Sequence, residues 1–212
     1  MIGDWIEWKA MGDRSETEDQ ADWWNEMYGS ETVPPWDIGH PQPALVDAIE
    51  SYELSGPILD VGCGTGIHAL WATERGYTAL GIDFSEVGIE VAQKRARERG
   101  LDADFRVADA LNLPSNLGPF KTVLDSGLFH AFETDERETY ARELAAVVSS
   151  GGHLFLVGFA EGATENAGPN PLTPEDIHSA FGNQWTVHET QESVFETRVR
   201  SEQGLLAVVE RV

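Results

Sequence analysis

Four carboxylates and a run of glycines carry the chemistry visible in this sequence. Ile58-Leu59-Asp60-Val61 leads directly into Gly62-Cys63-Gly64-Thr65-Gly66. A glycine-rich turn between a strand and a helix lets backbone approach a nucleotide-type ligand, and by itself it admits several. The spacing narrows the field. Ile67 stands where a dinucleotide fingerprint would have its third glycine, and Asp60 sits at the strand end beside the loop. A pyrophosphate would meet that carboxylate at an energetic cost in a partly buried site, whereas an ammonium would be stabilised there. S-adenosylmethionine has an ammonium, a sulfonium and no phosphate, so it matches this charge pattern.

The other three acids recur at regular places downstream. Asp83, followed by Phe84, closes Ala79-Leu80-Gly81-Ile82-Asp83, 23 residues after Asp60. A carboxylate at the end of a second strand can accept both ribose hydroxyls of a nucleoside cofactor. In Ala108-Asp109-Ala110, Asp109 follows the third strand and can accept a bond from an adenine amino group. Asp125 and Ser126, in Leu124-Asp125-Ser126-Gly127, end the fourth. The candidate cofactor contacts are therefore Asp60, Gly62, Gly64, Gly66, Asp83, Phe84, Asp109, Ala110, Asp125 and Ser126. Structural alternatives stand beside them: Asp83 as a helix cap, Asp109 as a turn residue, Asp60 as a support for the loop.

The elements that position these residues alternate. Pro57–Val61 reads as a short buried strand and Ile67–Arg75 as a helix, with the next strand at Thr78–Ile82. Ser85 caps a helix that Gly100 stops. Asp104–Val107 and Thr122–Asp125 are two more strands. A helix from about Thr134 ends at Ser149-Ser150-Gly151-Gly152, ahead of a strand at His153–Phe159. Thr173-Pro174-Glu175-Asp176 opens a short helix after a Gly/Pro/Asn-rich loop. Trp185–Thr190, Ser193–Arg200 and Leu205–Val212 read as two or three strands. Alternating short strands and helices predict a parallel sheet with helices on both faces. Upstream, Val33-Pro34-Pro35-Trp36-Asp37-Ile38-Gly39-His40-Pro41-Gln42-Pro43 is a rigid loop before a helix at about Pro43–Tyr52. Trp5, Trp8, Trp23 and Trp24 cluster before it, and at least some of them are expected to pack on the main body.

Composition excludes several function classes. The 212 residues suit one domain of ordinary size. With 37 acidic against 14 basic residues the formal net charge is −23. Such a surface repels nucleic acid and anionic lipid, which need clustered Lys and Arg. Lys9, Lys94 and Lys121 are the only lysines, and the acids are spread along the chain, the pattern of a protein from a high-salt cytoplasm. No secretory signal or membrane-length apolar run is present, so a cytoplasmic protein is expected. The single cysteine, Cys63, excludes an intrachain disulfide framework. His68, His153, His178 and His188 show no metal-ligand spacing, so no metal site is assigned.

The stretch from Pro57 to about Phe159 resembles the class I S-adenosylmethionine-dependent methyltransferases. Pro34-Pro35-Trp36-Asp37-Ile38-Gly39, taken with Leu124-Asp125-Ser126-Gly127-Leu128-Phe129-His130, resembles the branch containing thiopurine and halide/thiol methyltransferases. The resemblance implies a Rossmann-like α/β fold: a mostly parallel seven-stranded sheet, helices on both faces and a C-terminal antiparallel strand. It implies an N-terminal lid and helix over 1–56, packed on a core over 57–212. It also implies that Trp24, Tyr28 and Trp36 close over the cofactor, where aromatic faces favour a sulfonium by about 0.5–2 kcal/mol. The expected partner is a small-molecule methyl acceptor with a soft nucleophile: thiol, halide or metalloid. Such a nucleophile needs no general base. Asp37, His40 and His130 are the candidates if one is used, since they flank the expected methyl position. Two alternatives stay open: a methyltransferase-fold protein that binds without turnover, and a nicotinamide-dependent oxidoreductase, against which the glycine spacing and Asp60 count.

Overall fold

The structure is a computed structural model that describes residues 17–30, 32–52, 54–164 and 168–212, with 17–20 by backbone alone. Trp5 and Trp8 lie outside the described residues. Helices α1 (Thr17–Gly29) and α2 (Pro43–Ser51) precede β1 (Ile58–Val61), α3 (Ile67–Glu74), β2 (Ala79–Asp83), α4 (Glu86–Arg99), β3 (Asp104–Val107) and β4 (Phe120–Ser126). A 3-10 turn at Phe129–Ala131 leads to α5 (Thr134–Val147) and β5 (Val148–Phe159). After them come α6 (Pro174–Ala180), β6 (Trp185–Glu196) and β7 (Ser201–Arg211).

The seven strands form one sheet in the order β3-β2-β1-β4-β5-β7-β6. All lateral pairs from β3 to β5 are parallel, while β7 runs antiparallel to β5 and to β6. This is the Rossmann-like architecture expected, with β7 as the antiparallel strand. Strand alternation splits the core into two layers. Leu59, Val61, Val123, Leu154 and Leu156 face α5 and α6, and Ile58, Leu124, Phe155 and Val157 face α2, α3 and α4. Strand order reverses between β1 and β4, which opens a crevice at the carboxyl edge, the usual ligand site of such sheets.

The local signals hold where they are contiguous. Ser85 Oγ accepts Gly88 N–H at 3.0 Å and Gly100 ends α4 at φ +66°. Thr173 and Asp176 form a reciprocal capping box on α6. Two boundaries differ. Helix α5 stops at Val147, and Ser149-Ser150-Gly151-Gly152 belongs to β5, because Val148 already pairs with Phe120 across a register shift. Thr190 to Ser193 makes no turn: β6 is one strand, paired throughout with β7. Its polar residues are those of an edge strand facing water. Helix α1, unmarked in the sequence pattern, lies against α4.

Candidate active site

The glycine loop connects β1 to α3 and takes left-handed backbone at Gly62, Gly64 and Gly66. At Gly64 the requirement is spatial as well as conformational, since a Cβ there would fall 2.6 Å from the Tyr28 hydroxyl. Gly66 is the N-cap of α3 and offers no side chain to the helix's first amides. Asp60 supplies the missing acceptor, its Oδ2 taking Ala69 N–H at 2.9 Å. Of the two roles the sequence offers Asp60, cofactor contact and support for the loop, this bond matches the second. Asp60 is only 1% exposed and lies behind the loop, outside the cavity lining. Burial raises its pKa to about 7, the Ala69 bond opposes this, and the charges of Asp83 and Asp125 add to the rise. Gly64 and Gly66 shape the loop without lining the cavity, whereas Gly62 lines it.

A cavity of about 250 Å³ opens at the carboxyl edge of the sheet. Its lining includes Asp83, Phe84, Asp109, Ala110 and Ser126, all singled out in the sequence. Asp83 accepts Gly64 N–H (2.7 Å) and Ser85 N–H (2.8 Å), which fixes its carboxylate between loop and helix. Burial raises its pKa while these backbone bonds hold it down. Each carboxylate oxygen retains a second lone pair for a ligand hydroxyl. Asp109 is held at the wall by Leu111 N–H (2.8 Å). Asp125 departs from expectation. It is fully buried, its Oδ1 accepting Leu128 N–H and Phe129 N–H and its Oδ2 the Tyr140 hydroxyl at 2.7 Å. It orders the turn after β4 rather than facing the cavity, and burial raises its pKa to about 6.

The three aromatics expected to close over the cofactor meet as a group. Trp24 stacks on Tyr28 (centroids 6.1 Å) and meets Trp36 edge-on (5.5 Å), and all three line the cavity. Trp36 Nε1 donates to the Tyr28 hydroxyl at 3.4 Å. Helix α1 is anchored by Asn25, whose side-chain oxygen accepts Ser85 Oγ–H (2.7 Å) and Val87 N–H (3.3 Å).

Asp37 and His40, named as possible bases, do not line the cavity. Asp37 Oδ2 accepts from Thr65 Oγ1 (2.8 Å) and Arg95 Nη2 (2.9 Å), while Arg95 Nη1 donates to Thr65 Oγ1 (2.6 Å). Asp37 thereby ties the Trp36 segment to the glycine loop and to α4. His40 is more than half exposed, with Pro41 O and the Glu196 carboxylate beside it. Gln42 closes the strap, exchanging hydrogen bonds with the Glu196 backbone at 2.8 and 2.9 Å.

His130 does line the cavity, on the turn after β4, whereas Asp83 ends β2 and Asp109 follows β3. Its Nδ1 lies 3.1 Å from Phe159 N–H and accepts from it. Burial, reinforced by the Arg137 charge, lowers its pKa to about 3. The ring is therefore neutral, with its proton on Nε2. Phe159 and Phe195 pack against the ring (centroids 4.8 and 6.0 Å), and Phe132 and Leu128 add to the apolar lining. No sequence motif points to Phe195, an ordinary inward residue of β6. The partnership of Asp37 with Arg95 was equally silent, since 58 residues separate them.

The comparisons agree with this geometry. The family described as a methyltransferase domain matches residues 58–152. A 2-heptyl-1-hydroxyquinolin-4(1H)-one methyltransferase of Mycobacteroides abscessus is 34% identical over 182 residues, covering 82% of this chain and 80% of its own. A solved structure described by the conversion of a disulfide bond into a thioacetal group during echinomycin biosynthesis is 30% identical, with a TM-score of 0.83 over 91% of each chain. Thiopurine S-methyltransferase of Canis lupus familiaris is more distant, 25% identical over 171 residues, 71% of this chain and 69% of its own. The 34% identity along four-fifths of the chain, on a sheet whose carboxyl edge holds the glycine loop and Asp83, makes this protein a class I S-adenosylmethionine-dependent methyltransferase.

Proposed function

We propose that the protein methylates a small, mostly apolar molecule at a soft nucleophile that reaches the site already ionised, a thiolate foremost, then halides and metalloid anions. The observation that carries this is the occupied Nδ1 of His130. A neutral ring with its proton on Nε2 donates a hydrogen bond; it takes a proton only by giving up Phe159 N–H. His130 thus steadies an anionic acceptor and removes no proton from it. The walls of Phe132, Phe159 and Phe195 favour an apolar, flat body behind the nucleophile.

The cavity suits the cofactor. When bound, S-adenosylmethionine supplies a methyl group on a sulfonium, so the leaving group comes with it. The remaining work is positioning, worth roughly 7–11 kcal/mol when attack geometry is met. In this reading Asp83 accepts the ribose hydroxyls, Asp109 accepts from the adenine amino group, and Gly62 lets the backbone approach. Trp24, Tyr28 and Trp36 cover the site and exclude water.

Turnover with a panel of aromatic thiols, iodide and a metalloid oxyanion, set against phenols and heteroaromatic hydroxyls, tests the reading by mass spectrometry of the products. Thiols are expected to be methylated, with kcat/KM following the ionisation of the acceptor. Methylation confined to hydroxyl acceptors would overturn it in favour of O-methylation of a hydroxylated heteroaromatic, the reading favoured by the acceptor named for the Mycobacteroides abscessus relative. S-adenosylhomocysteine binding with no product from any class would favour binding without turnover.

A further inference from the structure

Far from the cavity, three side chains from three strands converge on one face of the sheet. His153 of β5 stands opposite Glu210 of β7 in the antiparallel register. On the other side of β7, the β6 ladder shifts register between Val187 and Glu189, so His188 is the extra, bulged residue. Bulges commonly re-aim a side chain at a functional position. Here His188 Nε2 comes to 2.5 Å from Glu210 Oε2, and its ring lies 6.0 Å from that of His153, with planes 29° apart. One donor atom from each residue lies within 4.8 Å of the other two. A tetrahedral ion bound at ~2.1 Å sets its ligands ~3.4 Å apart, within reach of small side-chain rotations from this arrangement. No local spacing marks the cluster, because its members come from strands far apart in sequence.

We propose that His153, His188 and Glu210 bind a divalent transition ion, Zn²⁺ foremost, with Ni²⁺ and Cu²⁺ as alternatives. Two imidazoles and a carboxylate are a borderline donor set that suits these ions over Mg²⁺ or Ca²⁺. The half-exposed rim leaves the remaining coordination to water. The role is structural. Six residues of strand separate His153 from Phe159, about 20 Å of rise, so the ion lies away from the reacting atoms. It cross-links the middle of β5 to the amino end of β6 through β7, strands whose carboxyl ends carry Phe159 and Phe195 at the cavity.

The test uses the untagged full chain, treated with EDTA and titrated with Zn²⁺ by calorimetry in excess Mg²⁺ to suppress diffuse binding to surface carboxylates. One equivalent is expected to bind with micromolar or tighter affinity and to raise the unfolding temperature, leaving methyl transfer unchanged. His188→Gln and Glu210→Gln should each weaken binding by at least about tenfold. Cu²⁺ loaded into the same site should show nitrogen hyperfine structure from two imidazoles. His188→Gln is exposed and not expected to affect folding, which circular dichroism checks. Zinc binding that Mg²⁺ abolishes, or that His188→Gln leaves intact, would reduce the cluster to a surface ion pair.

Discussion

Replacing Asp37 by alanine removes the acceptor shared by Thr65 and Arg95, together with the Gly39 N–H bond at 3.2 Å. A hydrogen bond to a charged group contributes about 1.5–3 kcal/mol, and a stranded buried hydroxyl costs about 1–3 kcal/mol. Two features reduce the sum. The Arg95 side chain is 27% exposed and can turn to water. Thr65 keeps Arg95 as a donor. A net loss of about 3 kcal/mol remains, a fall in unfolding temperature of roughly 6–12 °C for a domain of this size. The freed Trp36 segment should raise the KM for S-adenosylmethionine, while kcat at saturating cofactor stays within a few-fold. Thermal unfolding by circular dichroism and steady-state kinetics read the two effects, and Arg95→Met should reproduce both from the other partner. An unchanged melting temperature with collapsed kcat would refute the strap and return Asp37 to the chemistry as a base.

Asp83→Ala should weaken S-adenosylhomocysteine binding by roughly 1.5–3 kcal/mol for each ribose bond lost, read by calorimetry; unchanged affinity would remove Asp83 from the ribose. Asp60 binds its proton more tightly folded than unfolded, with a pKa of about 7 against 3.8, so its contribution to stability is fully present at low pH. That contribution declines between those values as pH rises, by on the order of 4 kcal/mol. His68, lowered to about 4 by burial, runs the other way, gaining stability as pH climbs through the same acid range. Asp60→Asn isolates the first effect. Its stability relative to the parent, from urea titrations across this range, should improve with rising pH and level off above 7, and a flat difference would contradict the burial argument. With a net charge of −23, raising KCl from about 0.1 to 1 M shortens the Debye length from ~10 to 3 Å and should raise the unfolding temperature. A fall would count against self-repulsion.

Sequence alone determined the elements whose signals are contiguous: the glycine loop, the Ser85 and Thr173 caps, the Gly100 stop, and the strand ends at Asp83 and Ser126. These rest on short-range periodicity and turn chemistry, which neighbours along the chain express directly. From them followed the parallel sheet and the cofactor, while the gathering of Trp24, Tyr28 and Trp36 was implied by the family resemblance. Tertiary structure alone decided which way each charged group turns. Asp60 and Asp125 are spaced like ligands to the cofactor, yet one oxygen of each accepts buried backbone N–H groups and the other oxygen of Asp125 accepts the Tyr140 hydroxyl, because a helix without a capping side chain and a tight turn need acceptors there. Asp37, a candidate base in the sequence, ties the Trp36 segment to the glycine loop because α4 brings Arg95 beside it. Phe195 reached the cavity, and His153, His188 and Glu210 met, only through strand register. Register is set by which apolar faces pack together across the sheet, a long-range energetic choice that no local spacing records.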